Sequence, residues 1–538
     1  MHVATATEYS GPEDEVVRAE ESKLRRHLGV WGLTAIGFSN IVGSGWLFAS
    51  MYAAQIAGPA ALLAWVAAGI LCALVALVIV ELGASRPEAG GTVRWPLYAS
   101  GRLVGSVIGV SALLSVGATS AELTAIVQYA GHYLPWVYKD GSLTWSGVLL
   151  AVVLSVILTA LNWYGVRLFG RVNNTLTIIK IAVPTLTVVA LIASGFHAAN
   201  LTGHGGFAPY GYGAVLSALA GGGIVYSVNG FQAPVDFSGE ARDPRRTVPL
   251  AVLGSITLAV LLYLALQLAF LGAVPETLLG HGWHGVDLDS PFGELAVALN
   301  LQLVAAMLYA DAVISPGGSA YVGIAIDARH TYALAKNRLL PRPIMVVDRR
   351  SGVPRRALLL NLVVVIVFLL PFGGWQHIVS VMGDLYLLLY AAAAVAAGVF
   401  RVVEPERLSG WVPGLRVIAP LSFVLASEFI YWSGWHDLRI ALPLTLAGVP
   451  LFVALWRTDR SAPLLTELRR GAWLVAYLLT LTLLSGLGSF AGANLLPAPY
   501  DSIVVALVAL VVFPVAVRSG VPRSRRPERA TAGGRGPR

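Results

Sequence analysis

Hydrophobic residues run through this chain in long blocks that no charge interrupts. Residues 28–80 hold 53 positions without Asp, Glu, Lys or Arg; residues 141–166 hold 26, and residues 471–500 hold 30. Roughly 20 apolar residues cross the hydrocarbon core of a bilayer as a helix. Lipid offers no partner to backbone N–H and C=O groups, so such blocks must be helices packed as a bundle. Dividing them at Gly/Pro turns and charged loops predicts fourteen spans, near residues 30–54, 59–83, 103–133, 146–165, 173–195, 211–236, 247–273, 292–326, 355–371, 375–400, 413–433, 438–456, 471–490 and 501–517. The third, eighth and tenth exceed what a membrane requires, so their ends are expected to project or tilt.

Composition agrees with the pattern. Of 538 residues, 56% are hydrophobic and 12% charged, against about 25% charged in an ordinary soluble domain; the mean hydropathy is +0.72. The positive charges test the span count. With the N-terminus in the cytoplasm, 34 of the 37 Lys and Arg fall in inner segments, leaving Lys139, Lys180 and Arg439. A missed helix would reverse every later loop and spoil this bias, so an even number of spans with both termini cytoplasmic is expected. The net charge of +8 suits an anionic inner leaflet of membrane lipids rather than nucleic acid. Cys72 is the one cysteine, which excludes internal disulfides. Residues 1–27 read as a cytoplasmic tail rather than a signal peptide, and residues 518–538 as a basic cytoplasmic tail, disordered over 523–538.

Two spans carry small residues in mid-membrane. The first reads Ile36-Gly-Phe-Ser-Asn-Ile-Val-Gly-Ser-Gly-Trp46 and the sixth Gly221-Gly-Gly-Ile-Val-Tyr-Ser-Val-Asn-Gly-Phe231. Either segment alone fits close helix packing. Together, in spans one and six, they fit a transporter whose paired repeats break their first helices around a midplane ligand. N–H groups around Gly43, Ser44 and Gly45 would then open a half-helix and hold a carboxylate. Carbonyls near Tyr226, Ser227 and Asn229 would accept from an ammonium, and Phe231 or Tyr226 would close over the side chain. An amino acid presents both charged groups. In span eight, Asp311-Ala-Val-Ile-Ser-Pro-Gly-Gly-Ser319 predicts a helix deformed at Pro316, with Asp311 and Ser315 either at the cavity or packed on a neighbour.

Lys180 has no charged residue after it until Asp236, 56 positions on. It either snorkels toward the end marked by Arg167 and Arg171 or faces the bundle, where it needs a partner or a task. Facing the bundle, it would fill the role of a bound cation beside the first break and couple protons to substrate movement. Glu122, Asp384 and Glu428 are membrane-placed acids able to pair with it.

These motifs resemble those of the amino acid–polyamine–organocation permeases, in the branch of bacterial amino acid permeases. Ile41-Val-Gly-Ser-Gly-Trp-Leu-Phe48 resembles the family's carboxylate loop, and Asn229-Gly-Phe231 its broken sixth helix. Gly239-Glu-Ala-Arg-Asp-Pro-Arg-Arg-Thr-Val-Pro249 is similar to its most specific signature, and Ser315 through Asn337 looks like its eighth helix and following loop. The resemblance implies an all-α polytopic membrane protein with inverted five-helix (LeuT-like) repeats at 28–195 and 211–400, and peripheral helices at 413–517. It implies that Lys180 stands where other members hold sodium, and that the branch is that of proton-linked aspartate permeases. Gln232 departs from the acid that many members carry there, which leaves more of the coupling to Lys180.

The expected function is import of an amino acid across the plasma membrane by proton symport, with no cofactor and no metal. An exchanger of the same fold would explain the broken helices equally well. A receptor would need a soluble ligand-reading domain, and an enzyme would need a nucleophile or metal constellation; neither is legible.

Overall fold

In the computed structural model the described residues are 28–88, 90–164, 166–348, 351–370, 375–458 and 463–522; the expectations for the two tails lie outside them. The chain is helical almost throughout. In order, the helices are α1 (Val30–Ile41), α2 (Gly45–Ala57), α3 (Ala61–Ser85), α4 (Gly91–Ser100), α5 (Arg102–Leu114), α6 (Ala118–Ala130), α7 (Trp145–Trp163) and α8 (Val166–Gly195). Three short pieces follow, α9 (Gly213–Gly221), α10 (Ile224–Ser227) and α11 (Ala233–Asp236), then α12 (Pro244–Ala273), α13 (Pro291–Ala298), α14 (Gln302–Lys336), α15 (Arg355–Leu369) and α16 (Trp375–Val403). The last are α17 (Leu415–Trp432), α18 (Trp435–Leu446), α19 (Gly448–Thr458), α20 (Leu464–Leu487) and α21 (Tyr500–Gly520). A two-residue hairpin, Tyr138–Lys139 with Ser142–Leu143, is the sheet found among the described residues.

Eleven helical stretches among the described residues are long and apolar enough to cross a membrane. The other three expected spans are the first, whose leading part is the short α1; the sixth, broken into α9–α11; and the ninth, α15, of 15 residues. The protein is thus an all-α polytopic membrane protein.

Three local expectations need correction. The eighth span divides into α13 and α14. Helix α14 runs unbroken through Pro316 for 35 residues; a proline removes a single i→i−4 bond, and the helical turns on either side hold the conformation. The loop after span two contains α4, which the polarity of its sequence hid.

Packing follows the breaks. Helix α12 lies against α3 and α1, while α14 lies against α6, α8 and α1. The start of the first span and the end of the sixth are also tied to each other. Leu28 donates its N–H to Glu240 O at 3.1 Å and accepts from Arg242 N at 3.0 Å, joining the start of α1 to the loop that opens α12. Among the later helices, α17 packs on α16, α3 and α21. Glu81 of α3 holds the loop before α17 by accepting from Gly410 N and Val412 N, both at 3.0 Å.

Candidate functional site

The first break spans Val42, Gly43 and Ser44, between α1 and α2. Lys180 of α8 is fully buried there and donates to Ser39 O and Val42 O, each at 2.7 Å. It faces the bundle, which rules out snorkelling. The ammonium supplies donors to carbonyls that the break leaves without helical partners. Glu122 and Asp311 act on it electrostatically, whereas Asp384 accepts from Ser433 Oγ and Glu428 has Asp501 as its charged neighbour.

On the other side of the break, α2 begins as expected, but its N-terminal end already holds an anion. Ser44 N donates to Glu122 Oε2 at 2.6 Å, and Tyr226 OH donates to Glu122 Oε1 at 3.0 Å. A Cβ on Gly43 would stand 2.5 Å from Glu122 Oε1 and 2.7 Å from Ser319 Oγ, so a side chain there would have to displace the carboxylate. Helix termini favour negative charge through exposed N–H groups and the helix dipole. Glu122 therefore sits where a substrate carboxylate was expected. Its signal was legible, since it is the only charge between Arg102 and Lys139.

The sixth span breaks twice. One break is at Gly222 and Gly223, the other over Val228–Gln232, where Gly230 takes a φ of 101° that costs other residues steric strain. The two broken spans brace each other: Asn40 Nδ2 donates to Gly230 O at 3.3 Å, and the Cβ position of Gly45 is 2.2 Å from Ser227 Oγ. Ser227 Oγ turns back to Gly223 O at 2.7 Å. Asn229 and Gln232 both accept from Tyr390 OH of α16. Trp375 Nε1 donates to Ser44 Oγ at 2.7 Å, binding α16 to the first break as well.

A cavity of about 40 Å³ lies between these elements, lined by Asn40, Glu122, Tyr226, Asn229, Ser319 and Asp327 among others. That is room for water and too little for an amino acid in this arrangement. Of the expected residues, Tyr226 and Asn229 line the cavity. Phe231 does not; it packs on Tyr390 with ring centroids 5.1 Å apart. Asp311 and Ser315 bond to each other within α14, at 2.7 Å, and are also absent from the lining. Sequence reasoning missed Asn40, Ser319, Trp375 and Tyr390, which are ordinary core residues until the breaks bring them together.

A second set of polar contacts lies beside the cavity, near Asp327 of its lining. Asp236 Oδ1 lies 3.1 Å from His330 Nε2, and Thr92 of α4 touches both. Arg329 pairs with Glu240 at 2.5 Å and lies over the Phe237 ring at 3.8 Å. These contacts join the end of the sixth span to α14.

Two broken helices around a polar cavity deep in a polytopic bundle define a membrane transporter. Residues 28–513 match the amino acid permease family. The chain is 37% identical over 515 residues to the glutamate/serine transporter AimA of Bacillus subtilis, covering 93% of this chain and 95% of that one. It is 31% identical to the aspartate-proton symporter of the same organism, covering 94% and 99%, and 26% identical to its methylthioribose transporter, covering 77% and 90%. The chain belongs to the amino acid permease family of the amino acid–polyamine–organocation superfamily.

Proposed function

We propose that this protein imports an amino acid with a small polar or acidic side chain together with protons, its termini facing the cytoplasm. The observation that carries the reading is the first break itself. One face of it is held by the Lys180 ammonium and the other by the Glu122 carboxylate. Substrate binding replaces Glu122 with the α-carboxylate of the amino acid on the Ser44 N–H and the opening turn of α2. A carboxylate that takes up a proton loses its charge and its hold on that helix end, which links proton uptake to substrate binding. The ammonium of the substrate then finds Asn229, Tyr226 and the displaced Glu122. The side chain meets amides and hydroxyls, Asn40, Thr119 and Ser319, beside the carboxyl groups of Glu122 and Asp327 and with no Lys or Arg among the described lining residues, so hydrogen bonding rather than ion pairing would read its end. Serine, named for one relative, fits such a lining directly, and the acidic substrates named for the two relatives fit it with Glu122 and Asp327 carrying protons.

The test is uptake of labelled glutamate, aspartate, serine, leucine and arginine into proteoliposomes, with and without an imposed proton gradient. Accumulation of one of the first three, abolished when the gradient is collapsed, is the expected result. Counterflow without gradient-driven accumulation would establish an exchanger instead. Transport confined to leucine or arginine would refute the substrate class.

A further inference from the structure

A second cavity, of about 290 Å³, lies away from the transport site, between the start of α5, the chain leaving α14 and the end of α19. Its lining includes three guanidinium groups, those of Arg102, Arg338 and Arg342. Ser106 also lines it; the residue is fully buried, and its hydroxyl makes no hydrogen bond among the described residues. The same holds for the buried side-chain amide nitrogen of Asn337. Two donors buried without acceptors among the described residues each forfeit hydration, and both stand in a cavity whose charged groups among the described residues are arginines.

The cavity is built from rigid parts. Helix α19 crosses α5 so closely that a Cβ on Gly448 would lie 2.4 Å from Val107 Cα. Leu334 and Leu339, on either side of the end of α14, pack against Gly109 of α5. Arg338 adopts a φ of 60°, the left-handed conformation that ends a helix, and so swings the chain into the loop that carries Arg342. The remaining wall is apolar, with Phe452 and Leu455 of α19, and the neighbouring Val453 is exposed on a helix apolar enough to face lipid.

We propose that this cavity binds the phosphate of an anionic glycerophospholipid headgroup. Guanidinium groups suit a phosphodiester because their forked donors match its oxygens in pairs. The Ser106 hydroxyl and Asn337 amide would supply two further donors, and the apolar wall would lead the acyl chains toward α19. Basic pockets between membrane helices take acidic lipids by this combination of charge and depth. Because the loop continues directly from α14, an occupied cavity steadies the end of the helix that carries Arg329 and His330.

The test uses the purified full-length protein and two probes, phosphatidylglycerol as the lipid and glycerol 3-phosphate as the soluble headgroup. Native mass spectrometry in mixed phosphatidylglycerol and phosphatidylcholine micelles is expected to show selective retention of phosphatidylglycerol. Arg338→Gln with Arg342→Gln should weaken that retention about tenfold or more, since charged hydrogen bonds are lost. Ser106→Ala should weaken it less, and Arg407→Gln, an arginine outside the cavity, not at all. Melting in phosphatidylcholine alone separates a folding defect from a binding defect. Equal retention of the two lipids would overturn the proposal, as would a doubly substituted protein that keeps phosphatidylglycerol like the wild type. Glycerol 3-phosphate binding as tightly as the lipid would overturn the lipid source.

Discussion

An ammonium removed from water needs acceptors, and a broken helix leaves carbonyls that need donors. Lys180 meets both needs through Ser39 O and Val42 O. Its isolation in the sequence showed that it had a task, but the acceptors are backbone atoms, which residue identities do not display. Glu122 is the converse case. Its type and lone position were visible, while its place on the Ser44 N–H depends on how α6 docks against α2. Lys180→Met should fold with a loss of about 3 kcal/mol or more, because two charge-assisted bonds disappear. Its gradient-driven accumulation of substrate should fall to the equilibrium level in proteoliposomes. Full accumulation by the variant would remove Lys180 from the coupling.

At the scale of elements, the pattern of long uncharged apolar runs located nearly every helix, since the bilayer allows no other fold for such a run. It was weakest where a helix is interrupted or amphipathic. The sixth span breaks in two places rather than one, α14 tolerates Pro316, and α4 lies in a segment read as a loop. The spacing between broken helices is a property of two elements together, so no single stretch reveals it. Gly45 measures that spacing: a Cβ there would come within 2.9 Å of Ser227 Cα, an atom that cannot rotate aside. Gly45→Ala is expected to push α2 from the sixth span at a cost of about 1–3 kcal/mol and to abolish substrate binding. Adding Ser227→Gly, which removes the Cβ and hydroxyl in the way, should restore part of it, measured as a substrate-dependent shift in melting temperature.

Across the whole molecule, the charge pattern predicts a topology as well as a helix count. Cys72 is the sole cysteine and is buried, so introduced cysteines will report without background. Asp140→Cys, at the tip of the hairpin, should react with an impermeant maleimide added to intact cells. Arg242→Cys, at the other end of the bundle, should react only after the membrane is opened. The reverse pattern would invert the orientation.

The two bonds made by Lys180 have one more consequence, for the conditions under which the protein survives. A cation drawn from solution stabilises a fold by mass action, and its contribution vanishes on dilution. Here the cation is part of the chain and cannot be dialysed away, so its local concentration never changes. Melting curves of the purified protein in sodium, potassium or choline chloride at equal ionic strength should therefore superimpose. A transporter built this way keeps its central architecture in any salt, and a midpoint that climbs with sodium would show that the lysine is not the ion its neighbours require.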